Sequence, residues 1–71
     1  MDEKEFRKQI GLNIKSLRVK KEFHQRDLAD FAQLSTSLIG SIERGEQNFT
    51  ISSLWAIAEV LKVNPKDLLD V

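Results

Sequence analysis

Apolar residues recur three and four positions apart along most of this chain, the spacing of helices that bury one face. Phe6, Ile10, Ile14 and Leu17 form such a stripe in a first helix predicted from Asp2 to about Lys20. Acids cluster in its first turn and Lys20-Lys21 stand at its end, the signs that the helix dipole favours. Gly11 in its interior costs ~1 kcal/mol relative to Ala, which close approach of another helix would offset. Phe23 is expected to plug the space between the first helix and a second, about Gln25 to Ala32. A tight corner at Gln33-Leu34 follows, then a third helix opened by Ser35, whose hydroxyl suits an N-cap. Leu28, Ala29, Ala32, Leu34, Ile39 and Ile42 are the buried positions of this pair.

Gly45 is placed to end the third helix in a left-handed cap, and Glu46 to Phe49 form a loop. Thr50 then caps a fourth helix, Ile51 to about Leu61, with Ile51, Leu54, Ile57, Ala58 and Leu61 as its core stripe. Trp55 lies beside that stripe, to close the core or to sit at an interface. Asn64-Pro65-Lys66-Asp67 is a start signal for a short fifth helix carrying Leu68 and Leu69, with Val71 at the end. The expected fold is all-α: five helices in one domain spanning residues 1–71.

Two short helices joined by so tight a corner cannot cover each other's apolar faces, so other helices must pack behind them. That leaves the outer face of the third helix free, with Thr36, Ser37, Gly40, Ser41 and Arg44 on or near it. The arrangement is that of a helix-turn-helix, whose second helix enters the major groove of DNA. The run QxxLA from Gln25, followed by a hydrophobic residue, Ser, and IxxIERG ending at Gly45, resembles the lambda-repressor and Cro type of helix-turn-helix family. That family includes xenobiotic-response-element regulators and the small controller proteins of restriction–modification systems. The likeness extends through Gly11 to Arg18 upstream and Ile51 to Leu69 downstream, nearly the whole chain.

Composition narrows the alternatives. A chain of 71 residues supports one small core, and the absence of cysteine excludes a disulfide framework or thiolate metal site. No apolar run approaches the ~20 residues of a membrane span, and the charged start is unlike a secretory signal, so a cytoplasmic protein is expected. Eleven basic residues balance eleven acidic ones. Their distribution is uneven: Arg7, Lys8, Lys15, Arg18, Lys20, Lys21 and Arg26 fall in one window with a single acid, Glu22. Such a window suits a phosphate-facing side, although a charge cluster by itself is more often a solvated helix face.

The resemblance implies roles for particular residues. Gln25 would hold a DNA phosphate at the start of the second helix, where a helix N-terminus already favours an anion, with Arg26 beside it. Arg44, Gln47, Asn48 and Thr50 would contact the phosphate of the neighbouring strand. Arg18 and Glu43 would pair and tie the recognition helix to the scaffold. Thr36, Ser37 and Ser41 occupy the base-reading positions, and none of them is a bidentate reader of the Arg, Gln or Asn kind. Gly40 would let the helix backbone approach DNA closely. Two departures stand out: the family usually has Gly where Glu22 stands, and Thr, Ser or Asn where His24 stands. Either Glu22 is strained or the corner is built differently.

One copy of so small a domain covers little DNA, so a homodimer on a palindromic operator is expected, with Leu68, Leu69, Val71 and Trp55 as apolar material for the twofold contact. The alternative for Leu68 and Leu69 is that they complete the monomer core. The functional expectation is a sequence-specific transcriptional regulator whose partners are operator DNA, a second copy of the chain and, as a further candidate, RNA polymerase. It requires no cofactor, metal or membrane. The competing expectation is a protein-interaction or antitoxin-like module that keeps the fold with weak DNA binding. An enzyme is disfavoured, since no nucleophile–base pair, metal cluster or phosphate-cradling Gly loop is present.

Overall fold

The computed structural model describes residues 1–46 and 49–71. Five helices follow in order: α1 (Glu3–Lys20), α2 (Gln25–Ala32), α3 (Thr36–Glu43), α4 (Ile51–Leu61) and α5 (Pro65–Leu68). Most begin at a side-chain cap. Asp2 accepts from the Glu5 amide at 2.8 Å to start α1, and Ser35 accepts from the Leu38 amide at 3.0 Å to start α3. Thr50 and Ser53 bond each other's amides reciprocally at α4, at 3.0 and 3.1 Å. Asn64 accepts from the Lys66 amide at 3.1 Å to open α5. At α2 the His24 side chain makes no cap bond, and Asp27 instead accepts from the His24 amide at 2.7 Å.

Among the described residues four corner positions are left-handed, and one of these is glycine. Glu22, Gln33 and Lys62 have φ of 61°, 59° and 58°, while Gly45 has φ of 73°. Of the two possibilities at the first corner, strain is the one adopted. Glu22 takes the conformation that glycine adopts without steric cost, and the Phe23 amide closes back on the Arg18 carbonyl at 3.1 Å.

α3 packs against both α1 and α2, while α4 lies on α2 and carries α5. Ile10, Ile14, Leu28, Ile39, Ile42, Ile57, Leu61 and Leu68 are the fully buried large side chains at the centre. Truncating any one to alanine is expected to remove about 2–5 kcal/mol, a large share of the stability of a domain this small. Gly11 allows α1 and α3 to touch: a β-carbon there would stand 2.5 Å from the carbonyl oxygens of Ile42 and Glu43.

Two expected core residues lie outside the core. Phe6 is 37% exposed and Ile51 86% exposed. Both sit near the start of their helices. α1, about 27 Å long, is more than twice the length of α2 or α3, each about 12 Å, so neither alone can cover its whole stripe. Leu68 is wholly buried, and the Asn13 side chain holds the chain around it by donating to the Leu68 and Asp70 carbonyls at 3.1 and 3.0 Å.

Candidate nucleic-acid interface

α3 has two faces of opposite character. Ile39, Ile42 and Glu43 point inward, whereas Thr36 and Ser37 in its first turn are exposed, Ser41 is half-buried, and Arg44 just past its end is exposed. The periodicity that buries one stripe thus leaves another open along the helix.

The orientation of α3 is set by a buried charged knot joining three helices. Glu43, the last residue of α3, receives Arg18 Nε on Oε2 at 2.7 Å and Arg18 Nη2 on Oε1 at 3.0 Å. Arg18 Nη1 donates to the Phe23 carbonyl at 2.7 Å, which ties in the α1–α2 corner. Gln25 Nε2, from the first turn of α2, donates to Glu43 Oε1 at 3.0 Å. The side chains of Arg18 and Glu43 are 10% and 3% exposed. Charges so far from water are tolerable only because they are paired and hydrogen-bonded.

Gln25 therefore lies at the expected place but is already engaged. Its bond to Glu43 uses one of the two amide hydrogens, and the other remains for an external acceptor. Arg26 beside it is exposed. Gly40 does not present open backbone to the outside: it is buried under two side chains of the protein itself. A β-carbon at 40 would meet Arg44 Nη1 at 3.0 Å and Gln25 Oε1 at 3.5 Å. Arg44 in turn donates through Nε to Glu46 Oε1 at 3.0 Å and makes a long contact from Nη2 to Ser41 Oγ at 3.5 Å. Glu46 was not among the expected site residues, although its place two positions after Arg44 in an open corner is the available signal. Gln47 and Asn48 lie outside the described residues.

The basic window is less available than its count suggests. Arg18 is buried on Glu43, and Arg7 pairs with Glu3 one turn earlier. Lys8, Lys15, Lys20, Lys21 and Arg26 are the members left exposed without a hydrogen-bonded acid. Among the described residues no group of His, Cys, Asp or Glu could hold a metal ion, and no helix is long and apolar enough to cross a membrane.

The apolar face expected for a twofold contact needs one correction. Leu68 is fully buried within the monomer, because Asn13 and α4 enclose α5, and so it cannot serve a partner. Leu69, Val71 and Trp55 are 39%, 48% and 57% exposed. Ile51, one turn before Trp55 on α4, extends the exposed apolar surface; the i, i+4 spacing of the two was the sign of it.

Residues 14–68 match the HTH_3 family, described as Helix-turn-helix. Control protein C.BamHI of Bacillus amyloliquefaciens is 36% identical over 62 residues, 86% of this chain and 76% of that one. Control protein C.SmaI of Serratia marcescens is 36% identical over 69 residues, 97% of this chain and 79% of that one. The crystal structure of the restriction–modification controller protein C.AhdI from Aeromonas hydrophila superposes with a TM-score of 0.86 at 29% identity, covering 87% of this chain and 94% of that one. With its five-helix, lambda-repressor-like fold, the chain belongs to the HTH_3 helix-turn-helix family of DNA-binding transcriptional regulators, which is not a family of enzymes.

Proposed function

We propose that this protein is a controller-type transcriptional regulator that binds a palindromic operator as a homodimer, with α3 of each copy in the major groove. The observation that carries this reading is the open outer face of α3, held at a fixed angle by the Arg18–Glu43–Gln25 knot. A groove-reading helix needs both properties, since base edges are recognised only where the side chains arrive in register. Thr36, Ser37 and Ser41 face the bases in this arrangement. Gln25 and Arg26 hold phosphate at the start of α2, and Arg44 brings a cation to the far end of α3. Gln47 and Asn48 extend the backbone contacts.

The twofold contact joins the exposed Trp55, Leu69 and Val71, with Ile51 added, to the same surface of a second copy. Two copies reading two half-sites make up for the small area that one covers. Its mechanism is occupancy in the cytoplasm: blocking or recruiting RNA polymerase according to where the operator lies. The relatives named as control proteins, and the C.AhdI structure titled as a restriction–modification controller protein, support this assignment.

Titration into a pool of random duplexes at low and moderate salt tests the reading. Binding that weakens steeply as salt rises is expected from phosphate contacts. A protein that retains no duplex even at low salt is instead an interaction module on the same fold, the alternative favoured by the small polar side chains of the reading face.

A further inference from the structure

The reading face of α3 has an imbalance. Thr36, Ser37 and Ser41 offer single hydrogen bonds, and none makes the two-point contact that discriminates base pairs strongly. Among the described residues of α3 and its C-terminal cap, Arg44 is the side chain that can. Its guanidinium turns back along the helix, so that Nη1 lies 3.0 Å from where a β-carbon on Gly40 would stand. Side chains on a helix lean toward its N-terminus, and the missing side chain at 40 keeps that path open. Glu46 grips the guanidinium from the side, through Nε at 3.0 Å. Among the described residues, the two Nη groups keep only the long 3.5 Å contact from Nη2 to Ser41. Those two groups are the pair that meets O6 and N7 of guanine.

We propose that Arg44, buttressed by Glu46 and given its path by Gly40, is a specificity-determining residue that reads a guanine in the major groove. The inference rests on the DNA-binding reading above and goes beyond it, because it makes Arg44 a base reader and gives Glu46 a positioning role. The competing role for Arg44 is a phosphate contact. In that case Glu46 is an anion competing with the DNA, and removing it strengthens binding to every sequence alike. As a buttress, its removal frees the guanidinium to rotate and discrimination falls.

Selection of bound sites from random duplexes with the wild type, Arg44→Lys and Glu46→Gln separates the roles, thermal melting confirming that each variant is folded. Lysine keeps the charge and lacks the planar fork. The expected wild-type site carries a guanine at one fixed position in each half, preferred roughly 5- to 140-fold over other bases. That preference disappears in Arg44→Lys and drops several-fold in Glu46→Gln, with the other positions of the site retained. An unchanged site in Arg44→Lys, together with tighter binding of all sequences by Glu46→Gln, overturns the inference. Should Arg44→Lys fail to melt cooperatively, Glu46→Gln alone decides by the same two signs. Duplex binding with no fixed guanine also overturns it, whereas failure of the wild type to retain any duplex refutes the DNA-binding reading itself.

Discussion

Arg18 and Glu43 form a two-point ion pair inside the protein, 25 residues apart in sequence and joined at 2.7 and 3.0 Å. The pair does not simply add stability, since a well-packed apolar pair would often serve as well. Its value lies in direction: a guanidinium fork meets a carboxylate in one plane, so α3 cannot rotate against α1 without breaking it. Gln25 on the same carboxylate extends the constraint to α2.

Glu43→Ala leaves Arg18 buried without its partner and is expected to cost about 3–5 kcal/mol. At roughly 4–8 °C per kcal/mol for a domain of this size, the melting temperature falls by more than 10 °C. DNA affinity measured below the new melting point falls as well, because α3 loses its fixed angle. A variant with both quantities unchanged would show that the pair holds nothing in place.

Gly11 and Gly40 are both mid-helix, yet alanine should act on them with opposite signs. At Gly11 the new methyl meets backbone oxygens at 2.5 Å, which cannot move without separating α1 from α3. A loss of about 3 kcal/mol is expected in urea denaturation. At Gly40 it meets the mobile tip of Arg44 at 3.0 Å, which can swing away. The gain in helix propensity, about 0.5–1 kcal/mol, then prevails and the protein melts higher. The displaced arginine should cost sequence discrimination even as stability rises.

Glu22→Gly should stabilise the protein. A non-glycine residue at φ of 61° carries a left-handed cost of about 1–2 kcal/mol, partly offset by the greater chain entropy of glycine in the unfolded state. A net gain of about 0.5–1 kcal/mol is expected by thermal denaturation. No gain would mean that the Glu22 side chain makes compensating interactions at the corner.

The single tryptophan reports on assembly. Trp55 is 57% exposed in the monomer, so its emission should shift to the blue as protein concentration rises through the dimerisation range. Leu69→Glu should abolish that shift and leave a monomer in sedimentation, with melting little changed, because Leu69 is 39% exposed whereas its neighbour Leu68 is wholly buried. A Leu69→Glu protein that remains dimeric places the contact elsewhere.

What was legible in the sequence is what depends on local order. Helix spans, their caps at Ser35, Thr50 and Asn64, and the inward positions of α2 and α3 follow from spacing and end chemistry. Gly11 could be assigned to a close approach because an unexplained mid-helix glycine needs a neighbour. The pairing of Arg18 with Glu43 was legible through the family resemblance. Tertiary structure alone decided how far each stripe is covered: Phe6 and Ile51 continue their patterns and are exposed, while Leu68 is enclosed and Leu69 is not. It also decided which side chains meet across helices, so that Gln25 turns to Glu43 and Arg44 lies over Gly40 under the grip of Glu46. The physical reason is that periodicity tells which residues share a face of one helix, whereas coverage and side-chain partners depend on where neighbouring helices begin, end and cross.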